Sequence, residues 1–205
     1  MEEIIEKLKK DKVLKTPNIV NAFASIDRKD FVLDQYKQSA YEDIPLPIGY
    51  GQTISQPYTV AFMLELLKPR NGQKILDIGS GSGWQTALLA RIVGEKGKVF
   101  AFEIIPELKE FGEKNINKYN FIKKGIVKFF AKTAENGFPE EAPFDGIIAA
   151  ASTQKIPTVW KKQLSTGGRI VAPVENSILL IEKINKDTFK ETEFPGFAFV
   201  PFVSK

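Results

Sequence analysis

The run ILDIGSGSGWQT, residues 75–86, carries the chain's clearest chemical signal. An apolar stretch ends near Asp77, glycines alternate at Gly79, Gly81 and Gly83, and helical patterning begins at about Trp84. Glycine lets a backbone come close to a ligand, because no Cβ stands in the way. A helix start adds free N–H groups and a partial positive charge. Further on, the run KVFAF leads to Glu103, an acid placed to take the two hydroxyls of a ribose. Gly79, Ser80, Gly81, Ser82, Gly83, Glu103 and the following Ile104 are therefore the candidate cofactor-binding residues.

Two cofactor classes use such a turn. A dinucleotide site wants G-x-G-x-x-G, with pyrophosphate on the helix. Here the spacing is G-x-G-x-G, and position 84 is Trp, a poor third glycine. The pattern D-x-G-x-G-x-G suits S-adenosylmethionine better, since that ligand has no pyrophosphate to seat. A turn with no ligand is the remaining reading. Asp77 reads as supporting the turn from behind. Trp84 reads either as a stacking partner near the cofactor or as core.

Composition narrows the chemistry. The chain has 205 residues, with no histidine and no cysteine. Disulfides, thiolate or imidazole metal sites, cysteine nucleophiles and histidine triads are excluded, and no metal is expected. Histidine is the usual general base near neutral pH, so its absence constrains the reaction strongly. Hydrophobic content of 43% and charged content of 26% are those of an ordinary globule. The net charge of +4 comes from lysines interleaved with acids, as in KLKKDK and ELKEFGEK, rather than from clustered arginine with aromatics. No nucleic-acid partner is expected. No apolar run approaches the roughly 20 residues needed to span a bilayer, and MEEIIEKLKKDK is not a signal peptide, so a cytoplasmic location is expected.

The elements that must position the turn follow from periodicity. Ile4, Ile5 and Leu8 predict a helix over 2–12, and Thr16-Pro17 opens a second over 17–25. Residues 30–50 read as loop. A third helix is predicted from Gln56 to Leu67, ended by Pro69 and Asn71-Gly72. Strand–helix alternation then begins: ILDI, a helix over 84–93, KVFAFE, a helix over 106–118, IVKFF, FDGIIAAA, a short helix over 156–164, and GGRIVAPV. NSILLIEKI and FPGFAFVPFV supply two last strands. This argues an α/β fold with a mostly parallel sheet, helices on both faces and an antiparallel C-terminal edge. One domain over 1–205 is expected, with 1–70 a helical cap and substrate loop and 71–205 the cofactor-binding core. The N-terminal helices are expected at the carboxyl ends of the strands, where ligands bind in such sheets.

The chain resembles the protein-L-isoaspartate (D-aspartate) O-methyltransferases, which repair damaged aspartyl residues. The most specific part is AYEDIPLPIGYGQTISQPYTVAFMLELL, residues 40–67; further similarity lies in LDIGSGSGWQTALLA, FEIIPELKEFGEKNI, GFPEEAPFDGIIAAAS, GGRIVAPV and FVPF. The resemblance implies a Rossmann-like class I methyltransferase sandwich and S-adenosylmethionine as methyl donor. It implies transfer to the free α-carboxylate of isoaspartyl residues in proteins and peptides, by a monomer. It points to Ser55 and Thr53 as catalytic, to Gln52, Ile54 and Tyr58 as substrate-binding, and to Thr133 and Ala134 beside the adenine. The family's TISAPH has histidine where this chain has Tyr58. Its acidic G-D-G turn is replaced by Lys132-Thr133-Ala134. Tyr58 either fills the histidine's space or simply packs.

A carboxylate is the acceptor this residue set serves best. Its pKa is about 4, so it is ionised at pH 7 and needs no base. Amine methylation usually employs an Asn/Asp-Pro-Pro-aromatic tetrapeptide after the fourth strand, where this chain has AAASTQ. Hydroxyls and N–H groups would hold the acceptor. Ser55 could instead be only the cap of the helix that follows. Two alternatives stand beside this reading: a methyltransferase of the same fold acting on a small molecule or RNA, and a donor-binding module without catalysis.

Overall fold

The computed structural model describes residues 1–202. Two helices open the chain, α1 (Glu2–Lys10) and α2 (Pro17–Ser25), followed by 3-10 turns at Arg28–Phe31 and Asp34–Tyr36. A small hairpin, β1 (Leu46–Gly49) and β2 (Gln52–Ile54), leads into α3 (Pro57–Leu67). The alternating part is β3 (Lys74–Ile78), α4 (Trp84–Val93), β4 (Lys98–Glu103), α5 (Pro106–Asn117), β5 (Val127–Ala131), β6 (Phe144–Ala149), α6 (Thr158–Lys162) and β7 (Leu164–Val174). Strands β8 (Ser177–Lys183) and β9 (Phe189–Pro195) close it. Proline stands first in α2, α3 and α5, where its fixed φ suits a helix and its missing N–H is not needed.

The large sheet has the order β5-β4-β3-β6-β7-β8-β9. Pairing is parallel from β5 to β7 and antiparallel for β8 and β9. The winding reverses between β3 and β6, so their carboxyl ends frame the crevice where such sheets bind ligands. Side chains alternate across the strands. Ile75, Val99, Val127, Ile148 and Val171 join α1 to α5 in one core; Leu76, Ile78, Phe100, Phe102, Ile147 and Ile170 face Trp160 of α6 and Phe138 in the other. The second face is thinly clad by helix. Aromatic rings replace it: Phe138 meets Phe100, Phe102 and Phe130 at centroid distances of 5.5, 5.2 and 5.0 Å.

The structure differs from the expectation in three places. The N-terminal helices do form a cap, but over a sheet face, with α2 on α4 and α3 on β6 to β8. The segment that reaches the carboxyl ends is the hairpin, where the sequence predicts a loop. Its strands are short and Pro47 interrupts the first, so no clean alternation marks them. The last strand is FKETEFP rather than FPGFAFVPFV. Period-2 polarity in FKETEFP fits a solvated edge, whereas the aromatic run after it crosses the crevice as a strap. There Ser152 N donates to Val200 O (2.8 Å) and Phe202 N to Ser152 O (2.7 Å). Val203, the last residue of the expected strand, lies outside the described residues.

Candidate active site

The glycine turn leaves β3 and enters α4. Its backbone is tied to the next strand: Gly79 N and Ser80 N both donate to Phe102 O (2.8 and 3.0 Å). Asp77 has no exposed surface and accepts from Gln85 Nε2 (2.8 Å) and Thr86 Oγ1 (2.6 Å). It thus pins the first turn of α4 to β3 and supports the glycines from behind, as expected. Burial pushes its carboxyl up to about 6, and those two hydrogen bonds oppose the shift.

Glu103 ends β4 and turns back over the same loop. Its Oε2 accepts from Gly81 N (2.8 Å) and its Oε1 from Ile105 N (3.0 Å). Each carboxylate oxygen has a second lone pair for a ligand hydroxyl. Gly81 has φ +50, and a Cβ there would stand 3.2 Å from Ile48 Cδ1 of the hairpin. A side chain there would crowd the hairpin and force the Ile48 side chain to shift.

A cavity of about 270 Å³ lies in front of this loop. Gly79, Gly81, Glu103, Ile104, Thr133 and Ala134 line it, with Gln52 and Thr53 from the hairpin. Of the expected cofactor residues, Ser80 and Ser82 line instead a small cavity of about 30 Å³ with Thr53, Ile54, Ser55 and Trp84. Gly83 touches neither. At φ +88 it caps α4, and a Cβ on it would meet Gly112 O of α5 at 3.0 Å. Its role is close packing of the turn on α5 rather than approach to a ligand. The sequence missed Phe102, Ile105, Lys132, Ala150 and the strap residues Val200, Pro201 and Phe202. The first four end or follow a strand on the carboxyl side, and only the strap's return across the crevice was unreadable from local pattern.

A second cavity of about 270 Å³ is lined by Pro45, Thr53, Ser55, Gln56, Thr59, Ala150 and strap residues Ala198 to Val200. Thr53, Ala150 and Val200 border both of these cavities, so the two share a common wall. Ser55 lies on the second one. It is not the cap of α3: Gln56 holds that position, without a side-chain bond. Gln52 lines the first cavity. Ile54 is 4% exposed and belongs to the core. Tyr58 borders none of these spaces; it stacks on Phe62 at 6.4 Å and faces a cavity with Asp11, Lys12 and Glu65. It packs on α3, and the structure does not bring it together with the other expected substrate residues. Trp84 is likewise core, 1% exposed and edge-on to Phe23 at 5.6 Å.

These residues fit S-adenosylmethionine. Phe102, Ile104, Ile105 and Ala134 give apolar walls for a flat purine, Glu103 gives a carboxylate for a diol, and the glycine turn leaves room beside the strand ends. Among the described residues no group of three or more His, Cys, Asp or Glu could hold a metal ion.

Fold and pocket together define a class I methyltransferase. The family model for protein-L-isoaspartate(D-aspartate) O-methyltransferase matches residues 1–205. A protein-L-isoaspartate O-methyltransferase of Aeropyrum pernix is 39% identical over 98% of this chain and 78% of its own length. Its counterpart in Methanopyrus kandleri is 36% identical, covering 100% and 91%. A Plasmodium falciparum chain assigned to the same family, crystallised with S-adenosyl-L-homocysteine, superposes with a TM-score of 0.87 over 98% of this chain and 97% of that one, at 24% identity. The chain belongs to the protein-L-isoaspartate(D-aspartate) O-methyltransferase family.

Proposed function

We propose that the chain transfers the methyl group of S-adenosylmethionine to the free α-carboxylate of L-isoaspartyl residues in proteins and peptides, with the donor in the cavity at Glu103 and the acceptor in the groove at Ser55. The observation that carries this assignment of sites is the wall of Thr53, Ala150 and Val200 common to both spaces. Bound in the first cavity, S-adenosylmethionine supplies an electrophilic methyl on a sulfonium.

The chain's own residues do the rest. Glu103 takes the ribose hydroxyls, and Ile104, Thr133 and Ala134 hold the adenine. Ser55 and Thr53 donate hydroxyl hydrogen bonds to the acceptor carboxylate, and Gln52 orders the rim between them. The start of α3 adds its partial positive charge beside Ser55. No group has to accept a proton, since the acceptor arrives ionised. Orientation and exclusion of water then carry the rate; such alignment lowers a barrier by about 7–11 kcal/mol. The ester carbon is afterwards attacked by the next backbone nitrogen, expelling methanol and closing a succinimide. Water opens the ring to aspartyl or isoaspartyl.

We place the enzyme in the cytoplasm as a monomer. Only Ile44, Tyr50 and Ile184 are large exposed apolar side chains among the described residues, too few for an obligate interface. Labelled donor offered with an isoaspartyl peptide, its aspartyl twin and RNA tests the function. Label is expected on the isoaspartyl peptide alone; transfer to RNA without transfer to that peptide refutes it. Sedimentation tests the oligomeric state.

A further inference from the structure

Arg28 is fully buried. It opens the 3-10 turn after α2, more than 20 residues before the first expected site residue, Gln52. Its Nη1 donates to Ala40 O (2.8 Å) and Glu42 O (3.2 Å), and its Nη2 to Ile44 O (2.9 Å) and Ser55 O (3.1 Å). One planar fork thus gathers the loop before the hairpin and the residue after it. The guanidinium also stands 5.3 Å over the ring of Trp84, the first residue of α4.

The same loop grips the acceptor turn from the other side. Asp43, between two of those carbonyls, accepts from Tyr58 N at 2.8 Å through Oδ1 and meets Lys7 Nζ at 3.2 Å through Oδ2. Ser55 to Tyr58 is therefore held at its first carbonyl by Arg28 and at its last amide by Asp43. Burial lowers the Arg28 pKa to about 10, and the charge of Asp43 opposes that shift. A hydrocarbon would fill this space at less desolvation cost than a guanidinium. What it could not do is bind carbonyls from separate segments while resting on the donor helix.

We propose that Arg28 and Asp43 are positioning residues that clamp the Ser55–Tyr58 turn at both ends and reference it, through Trp84, to the helix behind the glycine turn. The clamp fixes how far the Ser55 hydroxyl stands from the donor cavity. This rests on the reading of Ser55 as the residue that holds the acceptor.

The test uses Arg28→Lys, which keeps the charge but loses the fork. Turnover on an isoaspartyl peptide is measured beside S-adenosylhomocysteine affinity by calorimetry and amide exchange at Tyr58. We expect kcat to fall at least tenfold and the Kd to stay within twofold. The Tyr58 amide should exchange at least tenfold faster while β3 and β6 amides keep their rates. Unchanged kcat, unchanged Tyr58 exchange, or equal losses of kcat and donor affinity would overturn the proposal. Should Arg28→Lys not fold, Asp43→Ala at the other end carries the same expectations and the same refutations. A wild-type chain silent on the isoaspartyl peptide would refute the function instead, and the exchange rates would still judge the clamp.

Discussion

Glu103→Ala tests the donor site most directly. In the structure this carboxylate, 6% exposed, already accepts two backbone N–H bonds, from Gly81 at 2.8 Å and Ile105 at 3.0 Å. The residue also lines the cavity proposed for the donor. Hydrogen bonds to a charged group contribute about 1.5–3 kcal/mol. Removing those to a ribose should therefore weaken S-adenosylhomocysteine binding by roughly 12- to 160-fold. The two N–H groups lose their partner as well, so a drop in Tm is expected, and Glu103→Gln separates the two effects. Glutamine keeps an acceptor for one of the two amides at similar volume, so it should recover part of the Tm and little of the affinity. Calorimetry with S-adenosylhomocysteine, and thermal melts without it, supply both numbers. A Kd within twofold of wild type for Glu103→Ala would remove the residue from the site and leave it only as a brace for the glycine turn.

Other substitutions separate packing from chemistry. Ser55→Ala should cut kcat on isoaspartyl peptide at least tenfold and leave donor Kd unchanged; proportionate losses of both would show that Ser55 acts through the fold. Gly112→Ala places a Cβ 2.8 Å from Gly81 O and 3.1 Å from the Phe129 ring, so α5 must move off the glycine turn. A loss of about 1–3 kcal/mol is expected, as for other overpacked sites, with weaker donor binding; wild-type melting and affinity would refute the contact. Asp77 has a folded-state pKa of about 6, above its unfolded value near 3.8. A raised carboxylate pKa means the native state holds the proton longer, so its contribution is present below pH 4 and is lost as pH climbs from about 4 to 6. Asp77→Asn should flatten that part of the stability–pH curve, worth up to about 3 kcal/mol. A parallel curve would show that Asp77 titrates normally.

Much of this was legible because the core obeys local rules. The glycine turn, β4 ending at Glu103 and the α4 boundaries at Trp84 and Val93 stand where period, proline and glycine put them. The hairpin did not, since three- and four-residue strands with a proline give no alternation to count. Gly83 shows a different limit. A glycine in a ligand turn and a glycine under a crossing helix leave the same letter, and only Gly112 O at 3.0 Å tells them apart. Arg28 was equally silent, because its four partners are carbonyls and carbonyls have no sequence signature.

The structure also ranks the two departures from the family's pattern. Tyr58 stacks on Phe62 and borders neither of the two site cavities, so replacing the histidine there changes a packed surface and not the wall proposed to meet the acceptor. Lys132, Thr133 and Ala134 line the donor cavity itself. Thr133 Oγ1 accepts from Glu135 N at 3.2 Å, which leaves its hydroxyl proton to donate. Lys132 Nζ stands 4.6 Å from the centroid of the Phe138 ring and 5.1 Å from that of Phe102, where cation–π attraction holds it against the aromatic wall. A donor hydroxyl in place of an acid should favour a ring nitrogen over the exocyclic amine. Thr133→Asp restores the acid, and it should raise affinity for S-adenosylhomocysteine if amine recognition governs the slot. A lower affinity would mean that this chain reads its purine through the hydroxyl and the aromatic wall.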